Sequence, residues 1–584
     1  MFTDVLQFRD SNAFCKPLDK NDLPESMKEI RAIEKRFSRK YKYREHPGRN
    51  MDNHDIVLKF LEGLPSRETC DKLMQKYFAS FENVYRILHE PSFLEQCAEF
   101  WMYPEEARAD MFEWFIPQYV LVLAMGAKLD NTVIHPDEYR DGRLPLWGVF
   151  DLVETWADQL NGKRRNNFAA LQVKCLLLVA QKASGVPAER SWSFTGTLVR
   201  SAIKMGLHLD PANFSQLSIF QGEMRRRLWA TIVELDFQAS LLCGSPTAVR
   251  VDDFSCLPPR NLNDIYLSAD MQELPDDISN LAWTDSLCQS ILAKSLPERL
   301  KAMAMIWNLN VEPDYNAILA QVAKMEKILR SLPVDLRIDE NPQTFIDQPG
   351  RILGQVMLDT FVQRVTISLC RPFALHLQGA EFFPEARRVC VKASLAILAH
   401  QERLLEAHNG VYEEIYFKMC RPDIVQSALT VCLEAKDIGK YAAAQLLSKE
   451  PSSSHSACLQ SPSPTLAVSQ ATYTSPYSRD HLLAIVETAI EGQLQRIGEY
   501  NWDLKDSVIL TVALQSIILG PAAQHKRILG LSAEMVLEVC RKRFPPQDQS
   551  PTDAASDSAG TVSFSTPFLV IPSWIYGSFY WHGG

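Results

Sequence analysis

Two short stretches gather groups that could hold a cation or move a proton. His208 and Asp210 stand as H-x-D, and Asn263, Asp264, Ser268 and Glu273 lie just ahead of Asp276-Asp277. An all-α enzyme working on a diphosphate would need several oxygens converging on magnesium from helical spacing. The residues four and eight after Asn263 are Leu267 and Met271, so the register is wrong. Asp276-Asp277-Ile278-Ser279-Asn280 lacks a further carboxylate. His208 and Asp210 supply two ligands, too few to hold a metal, and Pro211 ends any helix there. H-x-D reads as a structural pair. G-x-S-x-G, G-x-G-x-x-G, G-x-x-x-x-G-K and H-E-x-x-H are all missing from the chain. The 13 cysteines run from Cys15 to Cys540 with no C-x-x-C, so zinc-ribbon and redox-pair chemistry lack their spacing. The chain reads as a non-enzyme with no metal site.

Basic residues offer a second chemistry, contact with phosphate. Arg225-Arg226-Arg227 spread around a helix and cannot present one basic face. Their task is expected to be pairing with acids and covering helix surface with their alkyl stems. The stretch 24–45 differs. Met27, Ile30, Ile33, Phe37 and Tyr41 share one helical face, and Arg36, Arg39, Lys40 and Lys42 are the candidates for DNA contact. Two readings stay open: a helix that meets nucleic acid or a partner helix, and a solvated helix docked on the body. The net charge is -10, yet residues 1–50 hold twelve basic and eight acidic residues. The acidic remainder repels phosphate, so only this arm could bind DNA.

The elements that position these groups centre on residues 191–259. Met224, Leu228, Ile232, Leu235, Ala239 and Leu242 recur at helical spacing, which predicts one apolar face. Gly244 follows where a left-handed cap needs no Cβ, and Pro246 blocks continuation. A preceding helix carries the stripe Phe194, Leu198, Ala202, Met205, with Gly196 and Gly206 open to close approach by a neighbour. An extended segment from Thr247 to Pro259 covers the pair. The near-continuous apolar run 111–129 predicts a central helix. Further helices are expected at 55–64, 146–160, 167–183, 281–308, 314–331, 351–373, 385–405, 480–498, 505–519 and 531–543.

In order and spacing these pieces resemble the fungal-specific transcription factor domain, the middle homology region of fungal zinc-cluster regulators. Gly206, Leu207, His208, Asp210 and Pro211 match its G-L-H-x-D-P. Glu223, Arg225, Arg226, Arg227, Leu228 and Trp229 match E-x-R-R-R-L-W. Leu235, Asp236, Gly244 and Pro246 match its L-D and G-x-P pieces, and Asp252, Asp253, Leu257 and Pro258 approximate the closing run. Upstream, Tyr77, Phe78, Ile87, Leu88, His89, Pro91 and Phe93 are similar to its opening element, without the usual proline before I-L-H. Downstream, Arg371-Pro372-Phe373 follow Cys370 where histidine is usual. The resemblance covers about residues 70–440.

The resemblance implies a nuclear regulator of transcription, often of a metabolic or secondary-metabolite gene cluster. Promoter DNA would be reached directly or through a partner, with a homo- or heterodimer, coactivators and a small-molecule effector as implied partners. The alternative is a helical effector-binding or interaction module that does not touch DNA. The family's zinc cluster, six cysteines around two zinc ions, is expected to be absent, since only Cys15 precedes the body. No cofactor is expected in this chain, and no apolar run is long enough for a membrane span.

The organisation expected is all-α. Residues 1–50 form a polar tail and basic helix, and 51–447 a large regulatory domain. Residues 448–479 are a Ser/Pro-rich disordered linker and 480–544 are helices packing on the body. Residues 545–584 form a flexible tail with an aromatic end. The Ser/Pro-rich insertion cannot bury enough apolar surface to offset chain entropy.

Overall fold

The most apolar stretch becomes the most buried helix. In the computed structural model, every residue from Phe115 to Gly126 is buried within the helix Phe115–Ala127. The run expected over 111–129 starts late, because Met111 ends a preceding helix, Glu105–Met111, and is 59% exposed. Pro117 sits in the first turn, where its missing N–H has no intrahelical acceptor to serve.

The structure describes residues 25–30, 32–33, 51–130, 149–186, 188–278, 283–308, 314–333, 336–337, 349–376, 379–407, 410–448, 475–497, 503–520 and 525–543. Among these residues the regular structure is helical and no strand occurs, so the fold is all-α. Arg36, Arg39, Lys40 and Lys42 lie outside the described residues. So do Ser/Pro-rich residues 449–474 and the tail 544–584.

In chain order the helices that matter below are α1 (Asn53–Glu62), α2 (Arg67–Ser80), α3 (Glu90–Met102), α4 (Glu105–Met111), α5 (Phe115–Ala127), α6 (Val149–Gln159), α7 (Phe168–Lys182), α8 (Ala188–Lys204) and α9 (Ile219–Cys243). Then come α10 (Leu287–Ile306), α11 (Tyr315–Arg330), α12 (Pro349–Ala374), α13 (Pro384–Ala407), α14 (Val411–Ser448), α15 (Arg479–Gln495), α16 (Asp503–Leu519) and α17 (His525–Arg543).

The described residues divide into two units. The larger holds 51–369 and 399–423, and the other holds 25–33, 370–398 and 424–543.

In the larger unit α5 packs against α2 and α7, and α8 lies along α9. α2 and α5 approach closely at Gly126, where a Cβ would overlap the Leu73 carbonyl. α9 begins with a capping box, Ser218 and Gln221 each satisfying the other's backbone N–H. It ends at Gly244 in the left-handed region, φ 58°.

α9 departs from the one-faced helix its apolar spacing suggests. Met224, Leu228, Ile232, Leu235, Ala239 and Leu242 are all buried, but so are Glu223, Arg227, Glu234, Asp236 and Gln238. The helix is enclosed on both sides because its charged side chains find partners inside. α8 differs in a similar way. Its buried face is Ser191, Thr195, Leu198, Val199 and Ala202, while Phe194 and Met205 are half-buried. Thr195 turns inward because its hydroxyl reaches a carboxylate of α9.

In the other unit, Met27 and Ile30 join Ile497, Leu504, Val508, Ala533, Val536, Leu537 and Cys540 in one core, with Ile33 against it. Glu29 accepts two bonds from Arg541, at 3.0 and 2.6 Å. Arg387 of α13 is buried and satisfied by Glu434 (2.8 Å), Asp437 (3.0 Å) and the Ala374 carbonyl (2.8 Å).

Candidate functional site

The signature residues of α8, α9 and the segment after them converge on buried ion pairs. Asp210 accepts from Arg226 at both oxygens, Nη2–Oδ1 2.8 Å and Nε–Oδ2 3.1 Å. It also accepts from the backbone N–H of Ala212 (3.0 Å) and Leu257 (3.0 Å). Burial opposes its charge, but these donors hold its carboxyl below the usual carboxylate range. The carbonyl of His208 accepts from Ser255 and Cys256, so H-x-D anchors the covering segment by its backbone. The His208 ring lies 6.3 Å from Trp229, which meets Phe254 edge-on at 5.8 Å. His208 and Asp210 therefore do separate jobs.

The three arginines point three ways. Arg225 donates to the Met205 carbonyl at 2.7 Å, satisfying the end of α8 next to Gly206, which is left-handed at φ 72°. Arg226 takes Asp210. Arg227 is fully buried and donates to Asp264 at 2.6 Å, with Glu223 3.5 Å away. Gly196 meets only Arg200 of its own helix, so no neighbour approaches there.

Asp236 joins three pieces of chain. It accepts from Thr195 of α8 at 2.9 Å and from the Ala248 N–H at 2.7 Å. Burial pushes its carboxyl up despite those donors. The carbonyl of Pro246 accepts from Trp192 and Ser240, each at 3.2 Å, and so closes the turn after Gly244.

Asp264 is the hub that local reading of the sequence missed. Its Oδ1 takes Arg86 and Arg227, and its Oδ2 takes the Glu90 N–H at 2.9 Å. Its N–H goes to Asp285 (2.8 Å), and its carbonyl lies 3.0 Å from His89 Nε2. Burial disfavours its charge, yet Arg86, Arg227 and Glu90 hold its carboxyl far below the usual range. Nearby Glu82 accepts from Tyr77 (2.6 Å), Leu88 (3.0 Å) and Ile87 (3.0 Å), and burial pushes it up to about 7.

A second buried network runs through the same unit. Arg299 donates to both oxygens of Glu234 at 2.9 and 2.7 Å. Glu234 accepts from Gln238 at 2.6 Å, and Gln238 accepts from Arg364. Arg364 also donates to Asp423 at 2.7 Å. Lys182 lies in the field of Arg364, Cys420, Asp423 and Glu234 but makes no hydrogen bond to any described residue. Burial pushes its ammonium down to about 8.

Lys182 apart, these charges are met by opposite charges or by hydroxyl and backbone N–H donors. The signature acids face guanidiniums or backbone N–H groups, the environment of structural pairs rather than of a general base. No group of three His, Cys, Asp or Glu among the described residues could hold a metal ion. The described cysteines form no disulfide with one another and are buried, and burial pushes Cys70 and Cys256 up to about 12. Among the described residues no helix is long and apolar enough to cross a membrane.

Comparison with known proteins finds a family model that matches residues of this network. The fungal specific transcription factor domain matches residues 74–358, which contain Asp210, Arg226, Arg227, Asp236 and Asp264. The chain carries a fungal specific transcription factor domain. A transcription factor of Penicillium oxalicum, opdR, is 30% identical over 358 residues, 60% of this chain and 44% of that protein. A transcription factor of Sarocladium schorii, asR3, is 31% identical over 388 residues, 60% of this chain and 44% of that protein. The equisetin cluster transcription factor eqxF of Fusarium heterosporum is 26% identical over 357 residues, 59% of this chain and 50% of that protein. The chain thus spans about half the length of the relatives it matches, or less. No solved structure matches it. The match ends within α12, so α13 to α17 lie beyond the matched residues.

Proposed function

We propose that the protein is a nuclear regulator of transcription acting on a biosynthetic gene cluster. The observation that carries the reading is the match over residues 74–358, within which signature Arg226 pairs with Asp210 and signature Arg227 with Asp264. Relatives named as transcription factors, one of them for the equisetin cluster, support the choice of target. The network's role is to hold α8, α9 and the covering segment in one arrangement. A regulatory surface needs that rigidity. Deleting the gene and profiling transcripts tests the reading. It expects coordinated change in one set of neighbouring biosynthetic genes; an unchanged profile with loss of one enzymatic step would overturn it.

DNA contact is assigned to the basic arm because the rest of the chain is acidic. Neutralising Arg36, Arg39, Lys40 and Lys42 together is expected to abolish DNA binding by the purified chain. Four phosphate contacts would give a slope of roughly -3.6 in log affinity against log salt. A second reading, an interaction module that leaves DNA to a partner, is favoured by the same acidic body. It expects no salt-dependent DNA binding before or after the substitutions.

A further inference from the structure

Two buried polar side chains beside the second network lack a partner among the described residues. Lys182, the last residue of α7, is 7% exposed and makes no hydrogen bond or ion pair there. Tyr85, in the link between α2 and α3, is 1% exposed, and its hydroxyl is unpartnered. The Tyr85 ring packs against Phe361 of α12 at 6.2 Å. Both groups lie in the field of Glu234, Arg364 and Cys420, so they share one place inside the larger unit. Cys420 Sγ is 4.0 Å from Arg364 at that place.

The acids around them are already taken. Glu234 holds Arg299 at both oxygens, and Asp423 holds Arg364. Those two pairs cancel, and the Lys182 ammonium is left over as one positive charge. An ammonium has three donors and no acceptor, and a phenol hydroxyl adds another donor. Enclosing a charge without a counter-charge is costly. A water molecule would take both donors but leave the charge. A single negative charge meets both demands.

We propose that this place binds one small monovalent anion, chloride or a carboxylate, held by the Lys182 ammonium and the Tyr85 hydroxyl beside the Arg364–Asp423 pair. The valence follows from the count. A divalent anion such as sulfate would leave a negative charge buried next to Glu234 and Asp423.

Thermal melts of the full chain at pH 7 test the site. Sodium chloride or sodium acetate is raised from about 1 to 100 mM, with ionic strength held constant by a bulky sulfonate buffer salt. The melting temperature of the wild-type chain is expected to rise by about 1–3 °C over that range. Lys182→Met, which removes the charge and keeps the apolar stem, is expected to show no such rise. Its stability advantage in the sulfonate salt should therefore shrink as chloride or acetate is added. Tyr85→Phe should need about tenfold more anion for the same rise, since it removes one hydrogen bond to a charge. Of chloride and acetate, the one that acts at the lower concentration is the preferred occupant. Sulfate should move the wild-type and Lys182→Met chains alike. A wild-type melt that neither chloride nor acetate raises overturns the proposal. So does a rise that Lys182→Met shares in full, or a wild-type rise with sulfate that Lys182→Met lacks.

Discussion

At the scale of the residue, Asp264 decides the energetics of the site. Removing it leaves Arg86 and Arg227 buried without their shared partner. Losing one side of a buried ion pair costs about 3–5 kcal/mol. Asp264→Ala is therefore expected to lower the urea midpoint of the chain by that amount of stability, while a surface change such as Asp270→Ala is near neutral. Lys182 is the opposite case, a buried cation without a hydrogen-bonded acid. Its folded pKa of about 8 lies below the 10.5 of an ordinary lysine. The unfolded chain then binds more protons across that interval, so this group's contribution to stability rises as pH climbs from about 8 to 10.5. Lys182→Met should stabilise the protein at pH 7 by roughly 1–3 kcal/mol and remove that rise. Melting temperatures at pH 7 and pH 9.5 check it. Glu82 acts in its own window: raised to about 7, it favours the fold below about pH 4.5 and loses that contribution as pH rises toward 7. The sequence made the importance of Asp210 and Arg226 readable, because they stand within one ordered signature. It hid Asp264, whose partners Arg86 and Arg227 are 178 and 37 residues away with no spacing rule to link them.

At the scale of the element, α9 and its covering segment act together. Asp210 holds Arg226 of α9 and the Leu257 N–H of the segment, and Asp236 holds Ala248. Asp210→Ala should loosen the segment without unfolding α9. Hydrogen exchange is expected to quicken at Ser255, Cys256 and Leu257 and stay slow at Ile232 and Leu235. Equal acceleration at both places would mean the two melt as one. The start and stop of α9 were legible because Ser218, Gln221, Gly244 and Pro246 carry local rules. Its burial on both sides was not, since periodicity of apolar residues says nothing about charged residues that find partners inside. The stripe of α8 was misplaced for the same reason: Thr195 earns an inward position through Asp236 rather than through hydrophobicity.

At the scale of the whole molecule, an all-α chain followed from helical spacing in almost every long segment. The apolar face begun by Met27, Ile30 and Ile33 packs on α16 and α17 within its own unit. That contact could not be read from the stretch itself, whose apolar stripe suits a partner helix equally well. The exposed Glu29–Arg541 pair adds little to it, as surface ion pairs do. Function rests on the domain and on the claim that its buried charges hold a regulatory shape. Tethering tests this claim most directly: the chain is fused to an unrelated DNA-binding module and placed before a reporter gene. The account predicts that reporter transcription changes several-fold with the wild-type chain and returns to baseline with Asp264→Ala. Reporter output equal to that of the bare module, with a folded wild-type fusion present at the promoter, would contradict it.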